Sequence, residues 1–156
     1  MPDTPRLLAD RLQSEGGRVV NFFNQLSAEQ WKARIYPQAG DWRMHQLLAH
    51  IVSAEIGRKE LIMSIARGGE GAPAGFDIDQ FNQEEVENLS RQPDANLLEL
   101  FSRQRDELCR FVSKLEPADL ERIGNDPFLG KAPLVEIIRL TYLHLQIHLR
   151  DAKRCL

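Results

Sequence analysis

The stretch Leu134-Val135-Glu136-Ile137-Ile138-Arg139-Leu140-Thr141-Tyr142-Leu143-His144-Leu145-Gln146-Ile147-His148 carries no glycine or proline and keeps an apolar residue or a histidine at every third or fourth place. Leu134, Ile137, Leu140, Thr141, His144, Ile147, His148 and Asp151 fall on one side of a helix of period 3.6. Pro133 suits the first turn, where its missing N–H costs nothing, and the pattern runs to about Arg154. Leu143, Leu145 and Leu149 lie outside this arc. A helix apolar over more than one stripe is buried on most sides, either at the centre of a bundle or under a homodimer interface.

Three more helices of this kind precede it. The first is predicted from about Thr4 to Leu26, with Asp3 or Thr4 as cap and Leu8, Leu12, Val19, Phe23 and Leu26 as its stripe. Gly16-Gly17 weakens its middle and predicts a kink or a close helix contact there. Ser27-Ala28-Glu29-Gln30 reads as a capping box for a short turn. A loop over Tyr36–Asp41 leads to the second long helix, from about Trp42 to Arg67. Its arc of Leu47, Ile51, Ala54, Leu61, Ile62 and Ile65 includes His50 and, unusually for an arginine, Arg58. Gly68–Gly75 is a flexible loop, and a short helix follows over about Asp79–Ser90. The third long helix spans about Asp94–Leu115. No alternating apolar/polar run supports a strand anywhere. Helices of this length are about 35 Å long, the scale of an all-α four-helix bundle.

The 156 residues suit one domain over residues 1–156. A net charge of −3 and scattered Lys and Arg give no footprint for nucleic acid. No apolar run reaches the ~20 residues of a membrane span, and Met1–Arg6 has no apolar signal region. Cys109 and Cys155 lack metal-motif spacing and read as reduced thiols, Cys109 packed and Cys155 on a chain end. A cytoplasmic protein is expected.

The chemistry lies in the histidines. His144 and His148 are one turn apart, so both rings project from one side of the last helix, and His50 faces the core from another. His45, five residues before His50, points to the opposite side. Buried imidazoles need hydrogen-bond partners or a metal, since an unsatisfied buried polar group costs about 1–3 kcal/mol. Leu145 stands where a zinc protease of H-E-x-x-H type has its glutamate, which removes that general base. The residues three before the histidines are Trp42, Leu47, Thr141 and Leu145, so the paired E-x-x-H of a di-iron bundle is absent. No C-x-x-C-H is present for haem. A mononuclear divalent metal site of His50, His144 and His148 with an open fourth position remains. Asp151 is a candidate hydrogen-bond partner to an imidazole or to bound water, against the plainer reading of a surface carboxylate. Arg58 is a candidate for an anionic substrate group, against that of an arginine whose head reaches water.

Trp42-x-x-x-x-Leu47-Leu48-x-His50, the late His144-x-x-x-His148 and the stretch from Gly130 to Leu140 resemble the DinB/YfiT-like superfamily of metalloenzymes, and the order of elements matches along essentially the whole chain. The resemblance implies an up-down-down-up four-helix bundle, often dimeric. It also implies a nickel, zinc or iron ion on the residues matching His50, His144 and His148. Some relatives are transferases or isomerases dependent on a low-molecular-weight thiol. Two places depart from the pattern. Arg43 stands where the family commonly has a Ser or Thr cap, leaving Asp41 as the expected cap, and Asp151 stands where it often has Gln.

Three functional readings stay open. The first is a metal-dependent enzyme, a thiol-dependent transferase or a hydrolase acting on a small molecule. The second is a non-catalytic metal- or small-ligand-binding bundle serving stress response or detoxification. The third is a structural bundle whose histidines satisfy one another.

Overall fold

A computed structural model describes residues 2–37 and 41–156. Gln38, Ala39 and Gly40, in the expected 36–41 loop, lie outside the described residues. Four long helices dominate: α1 (Pro5–Asn24), α3 (Met44–Ala66), α5 (Asp94–Ser113) and α6 (Leu134–Arg154). Two shorter ones, α2 (Ala28–Trp31) and α4 (Ile78–Leu89), sit in the connections. The protein is all-α, as the periodicity predicts.

The helix starts follow local chemistry. Thr4 caps α1 by accepting from the Leu7 N–H at 3.1 Å. Ser27 and Gln30 close the capping box on α2 from both sides, at 3.0 and 3.1 Å. The expected cap on α3 is corrected. Asp41 pairs with Arg34, Arg43 is the N-cap residue, and the Gln46 side chain accepts from the Arg43 N–H at 2.9 Å. Helix α1 runs unbroken through Gly16-Gly17. The glycine pair serves a close contact, because a Cβ at Gly16 would lie 2.8 Å from the Arg105 side chain.

Pairs across the helices give their directions. His45–Asp94, Glu55–Arg105 and Lys59–Glu107 rise together along α3 and α5, which therefore run parallel. Asp3–Arg139 and Arg11–Tyr142 rise together along α1 and α6, also parallel. His50 meets His148 while Arg58 meets Ile137, so α3 and α6 are antiparallel. This is the up-down-down-up order. Helix α1 touches α5 and α6, and α3 touches the same two, so α1 and α3 face each other across the bundle.

The core has two apolar clusters. One holds Val19, Phe23, Leu48, Phe101 and Leu149, the other Leu8, Leu12, Ile62, Leu108 and Ile138. Between them Arg105, buried in α5, forks onto Glu55 of α3 at 2.5 and 2.7 Å and donates to the Leu12 carbonyl of α1 at 2.7 Å.

The expectation of no strand is corrected. Strands β1 (Ile123–Asp126) and β2 (Gly130–Pro133) form an antiparallel hairpin that pairs Ile123 with Pro133 and Asp126 with Gly130. Its sequence shows no apolar alternation because the buried positions of β1 are Gly124 and Asp126, while Ile123 is exposed. Asp126 accepts from the N–H groups of Phe128 and Leu129 at 2.8 and 3.0 Å, shaping the turn. The Gly68–Gly75 loop is stitched to this hairpin, since the Asn125 N–H donates to the Glu70 carbonyl at 2.8 Å and the Ala72 N–H to the Asn125 carbonyl at 2.9 Å. Gly71, at φ +93°, lies so close that a Cβ would sit 2.4 Å from the Asn125 carbonyl oxygen.

The arc assigned to α6 also shifts. Leu145 and Leu149 enter the core, whereas Ile147 is 46% exposed and Leu143 45%. The buried face is centred on Thr141, Leu145, His148 and Ala152, so Ile147 lies on the outer flank of the half-buried His144. Among the described residues no helix is long and apolar enough to cross a membrane.

Candidate metal centre

Helix α3 presents His50 and helix α6 presents His144 and His148 to one point. The Nε2 atom of His148 lies 3.2 Å from His50 Nε2 and 2.9 Å from His144 Nε2. One ring nitrogen from each of the three lies within 4.8 Å of the other two, and the group could hold a metal ion. Ligand nitrogens ~2.05 Å from a tetrahedral ion are about 3.3 Å apart, close to both measured edges. The donor set fits: three imidazoles and no thiolate suit zinc, nickel or iron.

Burial keeps these rings neutral. His50 and His148 are 6% and 9% exposed. Desolvation first, then the neighbouring His144, lowers the His50 pKa to about 4. Desolvation, then His144 and His50, lowers that of His148 to about 2. Desolvation, then the charge on Arg58, lowers that of His144. Each ring therefore keeps one nitrogen lone pair at neutral pH, as metal ligation requires. The linkage has one sign. The unfolded chain takes up protons below the ordinary histidine value and the folded chain does not, so stability falls as pH drops below about 6.5 and is full above it. Metal-free protein is expected to lose roughly 4 kcal/mol between pH 7 and pH 5 in urea titrations, about 2 kcal/mol from each of His50 and His148, and a flat profile would contradict the burial of these rings.

The residue that orients His148 lies 112 positions away, beyond the reach of any motif spacing. The Tyr36 hydroxyl lies 2.9 Å from His148 Nδ1 and donates to Asp151 Oδ2 at 2.6 Å. A carboxylate only accepts, so the Tyr36 proton is committed to Asp151 and its oxygen is left to accept from Nδ1–H. That fixes the tautomer with a bare Nε2 in the cluster. Burial, then the bond to Asp151, raises the Tyr36 pKa, while the bond to Tyr36 lowers that of Asp151. Asp151 thus reaches the imidazole through Tyr36, which corrects both the direct contact and the plain surface carboxylate. Tyr36 holds φ at +53°, a left-handed backbone rare for an aromatic residue. Ile35 donates to the Trp42 carbonyl at 2.8 Å and Met44 to the Ala33 carbonyl at 3.2 Å, which clamps the segment over α6. Tyr36→Phe is expected to weaken zinc binding about 10–100-fold while leaving the metal-free unfolding midpoint nearly unchanged. Competition with a chelator measures this, and unaltered affinity would remove Tyr36 from the site.

The other candidates fall into place. His45 is outside the cluster, bonded to Asp94 and to the Ser90 carbonyl. The head of Arg58 does not reach open water. It is buried, paired with Asp126, and donates to Thr141 Oγ1 at 3.2 Å and to the Ile137 carbonyl at 2.8 Å. Cys109 is buried and its thiol is pushed up to about 11 by desolvation, which makes it unreactive. A cavity of about 330 Å³ opens beside His50 and His144, between α3, α4, α6 and the hairpin turn.

Comparison with known proteins agrees with this architecture. The crystal structure of a mycothiol-dependent maleylpyruvate isomerase superposes with a TM-score of 0.78 at 14% identity, covering 97% of this chain and 61% of that one. A histidine-to-alanine mutant of that enzyme superposes with a TM-score of 0.77, at the same identity and coverage. At this identity the likeness is one of fold, and the chain spans about three-fifths of the length of these proteins. No curated protein sequence matches it. The sequence pattern of the DinB superfamily matches residues 11–152, nearly the whole bundle including all three clustered histidines, and the chain belongs to that superfamily.

Proposed function

We propose that this protein is a metal-dependent enzyme acting on a small molecule, with His50, His144 and His148 as the ligands of one divalent ion. The observation that carries the reading is the convergence of three Nε2 atoms at ligand-edge spacing, from two helices, beside a cavity. A divalent ion there supplies Lewis-acid chemistry, lowering the pKa of a water or thiol so that a nucleophile forms near neutral pH. The chain's own residues do the rest. His148 is held in one tautomer by Tyr36, the buried rings stay unprotonated, and the cavity seats the bound molecule beside His50 and His144.

A thiol-dependent transfer or isomerisation fits best, because proteins of this fold include a mycothiol-dependent isomerase. Hydrolysis is the other version. A non-catalytic binding bundle is favoured by one observation: the carboxylate lining the cavity, Glu60, is itself exposed, and Asp126 is taken up by Arg58. Zinc, nickel or iron is the expected metal. The exposed Leu143 and Ile147 support a homodimer, the scattered Lys and Arg support a protein without a nucleic-acid partner, and two cysteines too few for a disulfide scaffold support a cytoplasmic one.

Elemental analysis of freshly purified protein tests the metal, and turnover tests the chemistry. The expected result is about one metal per chain and consumption of an electrophile only when a low-molecular-weight thiol is present. Folded protein without metal would sink the reading. Metal-loaded protein inert toward thiol–electrophile pairs, esters and amides would leave the binding bundle in its place.

A further inference from the structure

We infer that the substrate brings a compact, uncharged apolar group, and that this group seats in the cavity with the reactive end at His50 and His144. The inference rests on the cavity and the histidine cluster being one site. The walls are mostly hydrocarbon, from Leu61, Phe76, Ile78, Phe81, Phe128 and Leu140, with Ser53, Ser64 and Asn82 as the uncharged polar side chains. Phe76 and Phe128 are 40% and 54% exposed, so two aromatic rings flank the entrance and remain partly wet until something covers them. The charged side chains on the wall do not recruit an anion. Arg58 has its guanidinium engaged by Asp126, Thr141 and the Ile137 carbonyl, and Glu60 adds a negative charge.

Gly57 is the second observation. It lines the cavity in the middle of α3, where glycine weakens a helix, and a Cβ there would meet nothing within 4 Å. No packing contact demands it, unlike Gly16 or Gly71. Its missing side chain keeps the space open. A cavity of about 330 Å³ is about twice the ~150 Å³ that admits benzene, so a fused or substituted ring fits.

Calorimetry on zinc-loaded protein tests this with three probes sharing one metal-binding head. Naphthohydroxamic acid carries an apolar body, acetohydroxamic acid has almost none, and the monohydroxamate of terephthalic acid carries an ionised one. The first is expected to bind at least about tenfold tighter than the second, and the third no tighter than the second. Gly57→Leu is expected to erase that advantage and leave acetohydroxamate affinity and metal content unchanged. Gly57→Ala keeps naphthohydroxamate binding and raises Tm by about 2–4 °C, which shows the position tolerates a side chain. Equal binding of the first two probes, tight binding of the carboxylated one, or undiminished naphthohydroxamate binding in Gly57→Leu overturns the inference. If zinc does not bind, the metal reading fails separately, and acetylnaphthalene titrated into metal-free protein decides the cavity: binding that Gly57→Leu removes supports it, and no binding overturns it.

Discussion

His148→Ala is expected to purify with less than about a tenth of the metal held by the parent chain, and to stay folded. Of the three clustered rings, His148 is the one whose Nε2 contacts both other Nε2 atoms. Two imidazoles from different helices would remain, without the ring that Tyr36 and Asp151 orient. Loss of an orienting group alone costs about 10–100-fold in affinity, and loss of a ligand costs more. The fold does not need the ring. Thr141, Leu145, Leu149 and Ala152 hold the same face of α6, and alanine suits a helix interior. His45→Ala is the control, since His45 bonds to Asp94 and Ser90 outside the cluster. Elemental analysis of both variants with circular dichroism checks the expectation. A full metal complement in His148→Ala would overturn the ligand assignment.

The second large effect concerns stability alone. Glu55→Ala is expected to lower the free energy of unfolding by about 3–5 kcal/mol, because it leaves the Arg105 guanidinium charged and buried without its carboxylate. Arg105 is 3% exposed and Glu55 2%, so water cannot replace the missing partner. Against a total of about 5–15 kcal/mol for a typical domain, this brings the chain near its folding threshold. The double variant Glu55→Leu/Arg105→Met removes both charges and is expected to recover most of the loss. Urea unfolding measures both, and a loss below about 1 kcal/mol for Glu55→Ala would show that the pair is not dry.

These two sites differ in how far the sequence discloses them. His144 and His148 are four residues apart, and helix geometry alone puts them side by side. His50 stands out because a histidine on an apolar arc is costly without a purpose. Tyr36 lies in a loop, and nothing in its neighbours ties it to His148, which is 112 residues away. The Glu55–Arg105 pair is hidden for a related reason. A charge on a helix announces burial only once the neighbouring helix is known, and here that neighbour is 50 residues on. Arg58 is conspicuous on its arc, but Asp126 belongs to a hairpin without apolar alternation, so the sequence does not disclose the partner. The hairpin itself is written in backbone hydrogen bonds and one aspartate turn, neither of which leaves a periodic trace. On α6 the periodicity puts Ile147 on the buried side, but Leu145 and Leu149 take that place, because leucines on both flanks leave the centre of the arc open.

The order of the helices around the bundle also bears on how the chain finds its fold. In a simple up-and-down bundle each long helix packs against the next through a short turn, and helical hairpins form early from local contacts. Here α1 and α3 are diagonal, and so are α5 and α6. The pair that is both consecutive and adjacent, α3 and α5, is parallel, which a tight turn cannot join. Assembly must therefore begin with contacts between segments distant along the chain, and their loop-closure entropy is spent before any core forms. For a helical protein of its size this topology makes folding slow, with the helices formed well before they are sorted.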